Sequence, residues 1–87
     1  MTNIYIYCVF DGSGVFLGVY SSLKAAHRDA LKAANNGSSS VYIQTDKGFE
    51  KPDLANLRNL LKGKYDIVVN YRGGRTTSKI LKTKLKE

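Results

Sequence analysis

The sequence predicts a small α+β domain in which an antiparallel sheet, or a partly closed barrel, carries two short helices. Three observations predict this class: alternating runs of β-forming residues near both ends, a capped alanine-rich segment between them, and a leucine repeat after the only proline. A length of 87 residues allows one modest core. Residues 1–87 are therefore expected to form a single domain with the element order ββαβαββ.

The first twenty residues predict a β-hairpin. Residues 3–10 alternate between two sets of side chains, with Ile4, Ile6, Cys8 and Phe10 on one side and Tyr5, Tyr7 and Val9 on the other. A dense turn signal follows at 11–14, and residues 15–20 return to β-forming types, so a short loop is expected to join two antiparallel strands. Gly18 within the second strand indicates a bulge or a close approach of two backbones.

The next segment predicts an amphipathic helix. Ser21 or Ser22 can supply its N-cap, and its apolar stripe consists of Leu23, Ala26, Ala30 and Ala34. Because alanine is small, such a stripe allows the helix to lie close to a sheet. The helix is expected to end at the Asn-Asn-Gly sequence over 35–37, since glycine adopts the left-handed conformation at little cost.

A short strand and a second helix are predicted next. Residues 41–45 are rich in β-forming types and end at a turn signal over 46–48. Pro52 suits the first turn of a helix, the leucines that follow recur at helical spacing, and Gly63 provides a stop.

The C-terminal part predicts a second hairpin. Residues 65–71 alternate clearly and form its first strand. Gly73 and Gly74 predict a two-residue turn with positive φ values. Residues 76–82 then form either the returning strand followed by a basic tail, which we favour, or a helix, because their lysines also recur at helical spacing.

The positive charge is concentrated in the last third of the chain. Residues 1–57 contain five basic and five acidic residues, whereas residues 58–86 contain nine basic residues and the single acid Asp66; the whole chain has a net charge of +7. A basic end on a small domain focuses a positive field, and nucleic acid is the polyanion that such a field most commonly meets. The alternative is a charge surplus that serves solubility alone.

Candidate nucleic-acid contacts lie in the basic hairpin and tail at about 64–87. Glycines let backbone amides approach a phosphate, and arginines beside them can bind phosphates or enter a narrow minor groove. The candidate contact residues are Arg72, Gly73, Gly74, Arg75, Lys79, Lys82, Lys84 and Lys86, with Arg28 and Lys32 of the first helix as a second contact line. The alternative for the turn is an ordinary hairpin with solvated arginines, and for the helix a solvated face.

Base stacking on a sheet face is our second choice. The chain contains six tyrosines and three phenylalanines, and Tyr5 and Tyr7 share one side of the first predicted strand. Aromatic residues on strands of small proteins more often pack in the core or at an edge.

The sequence predicts no catalytic site, no metal site and no cofactor. His27 is the only histidine and has no acid or nucleophile at a recognisable spacing, while the acids are scattered singly. Cys8 has no second thiol, which excludes an internal disulfide and favours a reducing compartment. No apolar run approaches the roughly 20 residues of a membrane span. The first ten residues do not show a basic segment followed by a long apolar one, so we expect no secretory signal. We expect a cytoplasmic, nucleoid or nuclear protein, or a virion protein, that is not secreted.

The segments Gly18–Tyr20, Leu31–Gly37 and Val41–Gly48 together resemble the methanogen chromosomal protein family, small archaeal DNA-compacting monomers with relatives in some viruses. The resemblance covers roughly Val9 to Gly48. It implies a strand–strand–helix start on a small barrel-like fold that binds and bends duplex DNA without strict sequence preference. The DNA-bending loop of that family carries a Trp and several prolines; this chain has no Trp and only Pro52, so those residues have no counterpart.

Taken together, these patterns predict a non-enzymatic protein that binds nucleic acid, with duplex DNA favoured over RNA. Binding or compaction is expected to be sequence-independent and to run through backbone phosphates. The alternative is a small viral or phage module that binds a host protein through a sheet edge or its tyrosine-bearing face. A monomer or weak dimer is expected, with no membrane partner.

Overall fold

Six antiparallel strands form one open sheet, and two helices pack on one of its faces. The computed structural model describes residues 4–35, 41–45, 47–73 and 76–85. In chain order the elements are β1 Tyr5–Asp11, β2 Phe16–Tyr20, α1 Leu23–Ala34, β3 Tyr42–Thr45, β4 Gly48–Glu50, α2 Leu54–Leu61, β5 Ile67–Gly73 and β6 Thr76–Lys84. The strand order is β2-β1-β6-β5-β3-β4, so the two long strands β5 and β6 lie at the centre.

The fold class predicted from the sequence is confirmed. The sheet is antiparallel throughout and does not close, so the structure has the open sheet and lacks the barrel-like closure that the family resemblance implies. The strand–strand–helix start is present. One element was not predicted: β4 adds a third hairpin, and Gly48, expected in a turn, begins that strand with a φ of 114°.

Helix α1 lies close to the sheet because its inward side chains are small. Ser22 is its N-cap and accepts a hydrogen bond from the Ala25 amide, as predicted. Ala30 and Ala34 are fully buried. Their carbonyls accept hydrogen bonds from hydroxyls of β6, at 2.6 Å from Ser78 Oγ to Ala30 and 2.5 Å from Thr76 Oγ1 to Ala34. A larger side chain at either alanine would push the helix away from these donors.

Helix α2 starts after Pro52 and does not include it. Asp53 is its N-cap and accepts a hydrogen bond from the Asn56 amide, so Pro52 precedes the cap and does not occupy the first turn. Leu57 and Leu61 are buried against the sheet and α1, and burial of each leucine contributes about 1.5–3 kcal/mol. Gly63 has a φ of 69° and ends the helix as predicted.

The C-terminal hairpin has a different turn from the predicted one. Gly73 pairs with Thr76 and belongs to β5, so residues 74 and 75 lie between the strands, outside the described residues. Gly73 is needed for another reason: a Cβ on it would lie 2.2 Å from the Ala34 carbonyl oxygen. Residues 76–84 form the strand that we favoured over a helix.

Side-chain alternation divides the sheet into two faces of different character. The covered face contains Val9, Ile43, Val69, Tyr71 and Ile80, all of which are buried beneath the helices. The residues that alternate with them form the open face, which no described element covers.

The pairing of β1 with β2 contains a bulge. The register shifts between Val9 and Phe10, and the extra residue is Leu17, beside Gly18, where the sequence predicts an irregularity.

A partly buried hydrogen bond joins helix α1 to the centre of the sheet. His27 Nδ1 lies 2.7 Å from the hydroxyl oxygen of Tyr71, whose ring is fully buried on the covered face. Burial lowers the pKa of His27 below 6.5, and the Asp53 carboxylate offsets this only in part. Burial also raises the pKa of Tyr71, so both side chains are neutral at pH 7. His27 is partly exposed, and its hydrogen bond to Tyr71 also gives it a role in packing α1 on the sheet.

Replacing Gly73 with alanine is expected to lower the free energy of unfolding by about 1–3 kcal/mol, because the new methyl group would overlap backbone of helix α1. Gly18→Ala is the control, since the atoms nearest its methyl group would belong to the phenol end of the Tyr20 side chain, which shifts at lower cost than backbone. Denaturant unfolding measures both variants. Equal stability of the two would contradict the close contact between α1 and β5.

The free energy of unfolding is expected to fall as the pH drops below about 6.5. Because the folded-state pKa of His27 is lower than its unfolded value, the unfolded chain takes up this proton first and is favoured at acidic pH. Above pH 7 this contribution is complete and constant. His27→Gln should remove the decline in the free energy of unfolding between pH 6.5 and 5. A hydrogen bond from Tyr20 lowers the pKa of Asp29, so protonation of this carboxylate destabilises the fold only below about pH 4.

Candidate nucleic-acid interface

The open face of the sheet is rich in exposed apolar and aromatic side chains. Phe16 and Phe49 are 56% and 61% exposed, and Tyr42, Val19 and Val68 are also exposed. A solvated sheet face normally carries polar side chains, since antiparallel sheets alternate apolar and polar positions. An uncovered apolar face of this kind marks a surface that binds a partner.

One row of side chains crosses all six strands on this face. Its members are joined by strand pairing in the order Phe16, Phe10, Lys79, Asn70, Gln44 and Phe49. We call these six residues the cross-strand row. It has an aromatic residue at each end and polar or cationic residues in the middle. At about 4.8 Å per strand, the row is about 24 Å long.

Two further residues flank the row on the next register position. Arg72 pairs with Tyr42 across β5 and β3, so both lie on the open face beside Gln44. The Nε atom of Arg72 donates a long hydrogen bond of 3.4 Å to Gln44 Oε1. The guanidinium nitrogens that do not take part in this bond are available to another acceptor.

The aromatic and cationic groups of this face already contact one another. The rings of Phe10 and Phe16 meet edge to face, with centroids 5.7 Å apart. The ammonium of Lys79 lies 5.5 Å from the centroid of the Phe10 ring. This arrangement holds a positive charge beside an aromatic platform, which is what a ligand with both ring and anionic groups requires.

Two described carboxylates lie near the cross-strand row. Asp11 lines a shallow pocket with Asn70 and Lys79, and its carboxylate accepts hydrogen bonds from the amides of the turn that follows β1. Glu50 follows Phe49 on β4 and alternates to the covered face.

Among the residues that the structure describes, Arg72 and Lys79 form no ion pair. Asp66 lies at the far end of the open face and accepts a hydrogen bond from Thr83. By strand spacing, Thr83 is about 14 Å along β6 from Lys79. The centre of the open face is therefore cationic.

The contact residues predicted from the sequence do not all lie on the open face. Arg72 and Lys79 lie on the open face, whereas Gly73 is buried against α1. Gly74, Arg75 and Lys86 lie outside the described residues.

Two of the candidate lysines belong to the covered side of the sheet. Lys82 is only 8% exposed, and its Nζ donates a 2.9 Å hydrogen bond to the Leu61 carbonyl at the end of α2. It also lies 4.7 Å from the centroid of the Tyr5 ring. Lys84 lies 4.0 Å from the centroid of Tyr65. Lys82 is thus held in the structure and cannot reach a phosphate without leaving these contacts.

The helical contact line lies on the opposite side of the domain. Arg28 and Lys32 are exposed on α1, which packs on the covered face. Arg28 Nε is 3.6 Å from Asp29 Oδ1. The described cations of the C-terminal hairpin also point to both sides of the sheet, so the contacts predicted there do not form one surface. Strand alternation is the cause, because Lys79 and Lys82 are an odd number of residues apart.

The aromatic residues predicted for base stacking, Tyr5 and Tyr7, lie on the covered face of the sheet and not on the open face. Tyr5 and Tyr7 do share a face, but Tyr7 packs against the core and Tyr5 lies against Lys82. The rings that are available are Phe10, Phe16, Tyr42 and Phe49. The sequence does contain a signal for two of them: Phe10 and Phe16 lie close to the two ends of the predicted first turn, where hairpin pairing brings residues opposite one another.

The described residues offer little that resembles a catalytic or metal site. A shallow pocket of about 380 Å³ lies between α1 and α2 beside His27 and is lined by no carboxylate. Within the described ranges, no three His, Cys, Asp or Glu side chains are close enough to hold a metal ion. None of the described helices is both long enough and apolar enough to cross a bilayer.

Comparisons with known proteins give no further guide to this face. No family model matches the sequence, and searches of curated proteins and of solved structures find no similar chain. The resemblance to the methanogen chromosomal protein family therefore stays a prediction.

The buried position of Lys82 can be tested by chemical labelling. We expect Lys82 to react with an amine-acylating reagent at least about tenfold more slowly than Lys79, because an opening that costs about 1.4 kcal/mol slows labelling tenfold. Mass spectrometry of the digested protein measures both rates, and labelling in denaturant supplies the control. Equal rates in the folded protein would contradict the assignment of these lysines to opposite faces.

Proposed function

We propose that this chain is a non-enzymatic protein that binds nucleic acid through the open face of its sheet. The observation that carries the proposal is the position of Arg72 and Lys79, two cations without a described carboxylate partner, in the middle of an uncovered face with aromatic residues at both ends. Phosphates supply the matching charge.

The net charge of the whole chain supports the same ligand. At +7 on 87 residues, long-range attraction speeds the encounter with a polyanion from any direction. The cations outside the open face, such as Arg28 and Lys32, contribute to this attraction without touching the ligand. Binding is then expected to be largely independent of sequence and strongly dependent on salt.

Duplex DNA is the ligand that the sequence favours. In that case the phosphates of the duplex would lie on Arg72 and Lys79. Compaction of longer DNA would further require a second contact surface, such as Arg28 and Lys32 on the other side of the domain, which a short oligonucleotide on the open face does not reach.

A protein partner is the second candidate, and one observation favours it. Beside the cross-strand row, Val19, Cys8, Leu81 and Val68 form a purely apolar row across four strands. The sheet also has two edge strands, β2 and β4, and no described strand pairs with the outer side of either one. A protein that docks here would bind equally well after Arg72 and Lys79 lose their charge.

Two double variants of equal charge test the proposal. Arg72→Ala with Lys79→Ala should weaken binding of a labelled oligonucleotide and reduce the magnitude of the log–log salt slope by about 1.4–1.8, since each phosphate contact contributes about 0.7–0.9. Arg28→Ala with Lys32→Ala removes the same charge from the other side and should leave the slope nearly unchanged. Fluorescence anisotropy over a range of salt concentrations measures both.

Two results would contradict the proposal. The first is absence of binding by the unaltered protein at low salt to single-stranded and duplex oligonucleotides alike. The second is an equal loss in the two double variants, which would show that net charge alone attracts the polymer and that the open face has no special part.

A further inference from the structure

We infer that the open face takes an unpaired nucleic-acid strand, with bases stacked on the aromatic ends of the cross-strand row and phosphates bound at its centre. This inference rests on the proposed function, and it names an unpaired strand as the ligand of the open face where the sequence favours duplex DNA. A rigid duplex presents only phosphates and groove edges, so it would leave the exposed rings of Phe16 and Phe49 without a role.

The spacing of the rings supports an extended strand as the ligand. One aromatic pair, Phe10 and Phe16, lies on β1 and β2, and the other, Tyr42 and Phe49, lies on β3 and β4. The two central strands β5 and β6 separate them. A flexible strand that crosses the sheet can place one base on each aromatic pair and run its backbone between them, as single-strand binders with aromatic platforms do.

The polar centre of the row matches the backbone between two stacked bases. Lys79 and Arg72 lie between the aromatic pairs and provide the positive charge for phosphates. Asn70 and Gln44 lie beside them, and each carries an amide that can donate and accept hydrogen bonds. The face thus presents rings, charge and amides in the order that an unpaired strand would need.

Charge argues against a second copy of this chain as the occupant. Face-to-face packing of two such sheets would bring Lys79 and Arg72 of one copy near the same residues of the other, in an interface without a described carboxylate at its centre. Desolvation of like charges opposes such a dimer. An anionic partner with flat rings satisfies both the charge and the apolar rings.

The test compares oligo(dT) of about 12 nucleotides with an oligo(dA)·oligo(dT) duplex of the same length. We expect oligo(dT) to bind at least about tenfold more tightly. Oligo(rU) should bind comparably to oligo(dT), because ring faces and phosphates are common to both sugars. Anisotropy titrations at one fixed salt concentration measure all three affinities.

Variants then locate the stacking rings. Phe16→Leu and Phe49→Leu keep an apolar side chain but remove the aromatic surface, and each should weaken oligo(dT) binding roughly tenfold. Tyr65→Leu is the matched control, since Tyr65 is also exposed but lies beside Lys84 on the covered side. Unfolding midpoints confirm that the variants fold.

The outcomes separate the inference from the proposal beneath it. If the duplex binds as tightly as oligo(dT) and the leucine variants bind normally, while loss of Arg72 and Lys79 still weakens binding, the inference is overturned and the proposed function stands. If no oligonucleotide binds, both fail. A concentration-dependent dimer that Phe16→Leu dissociates would also overturn the inference, because the face would then be occupied by a second copy.

Discussion

Helices α1 and α2 cover one face of the six-stranded sheet, and this one-sided packing decides the environment of every strand residue. Side chains alternate across a strand, so each residue that joins the core beneath the helices places both of its neighbours on the open face. Ile80 is buried, and therefore Lys79 and Leu81 are not. The close approach of α1, made possible by its alanines and by Gly73, fixes this arrangement.

Because the helices cover only one face, the cations on the two faces have different roles. Lys82, on the covered side, donates to the Leu61 carbonyl at the end of α2 and holds that helix against β6. Lys79, three residues earlier, lies beside the Phe10 ring on the open face. A count of lysines gives both the same weight, whereas the structure leaves only one of them available to a ligand. Affinity for a polyanion then depends on which face carries a charge as well as on how much charge there is.

Much of the fold could be predicted because local signals and tertiary packing agree. The Ser22 cap, the alanine stripe and Gly63 are local features that the structure retains. The covered face of β1 could not be predicted, because both alternating sets of its residues are apolar and only contact with the helices selects Val9 over Phe10. β4 has three residues, too few for a periodic signal. The candidate site depends on which face of each strand the helices cover. Charge alone identifies Arg72 and Lys79 in the sequence, but it does not identify the rings that lie beside them.

Methyl NMR spectra measure most directly whether the open face binds the ligand. Val68 and Val69 are neighbours on opposite faces of β5, and Ile80 and Leu81 are neighbours on opposite faces of β6. On addition of oligo(dT), binding at the open face is expected to shift the Val68 and Leu81 methyl signals strongly and those of Val69 and Ile80 only slightly. Unchanged Val68 and Leu81 signals, together with shifted methyl signals on helix α1 such as that of Ala33, would contradict it.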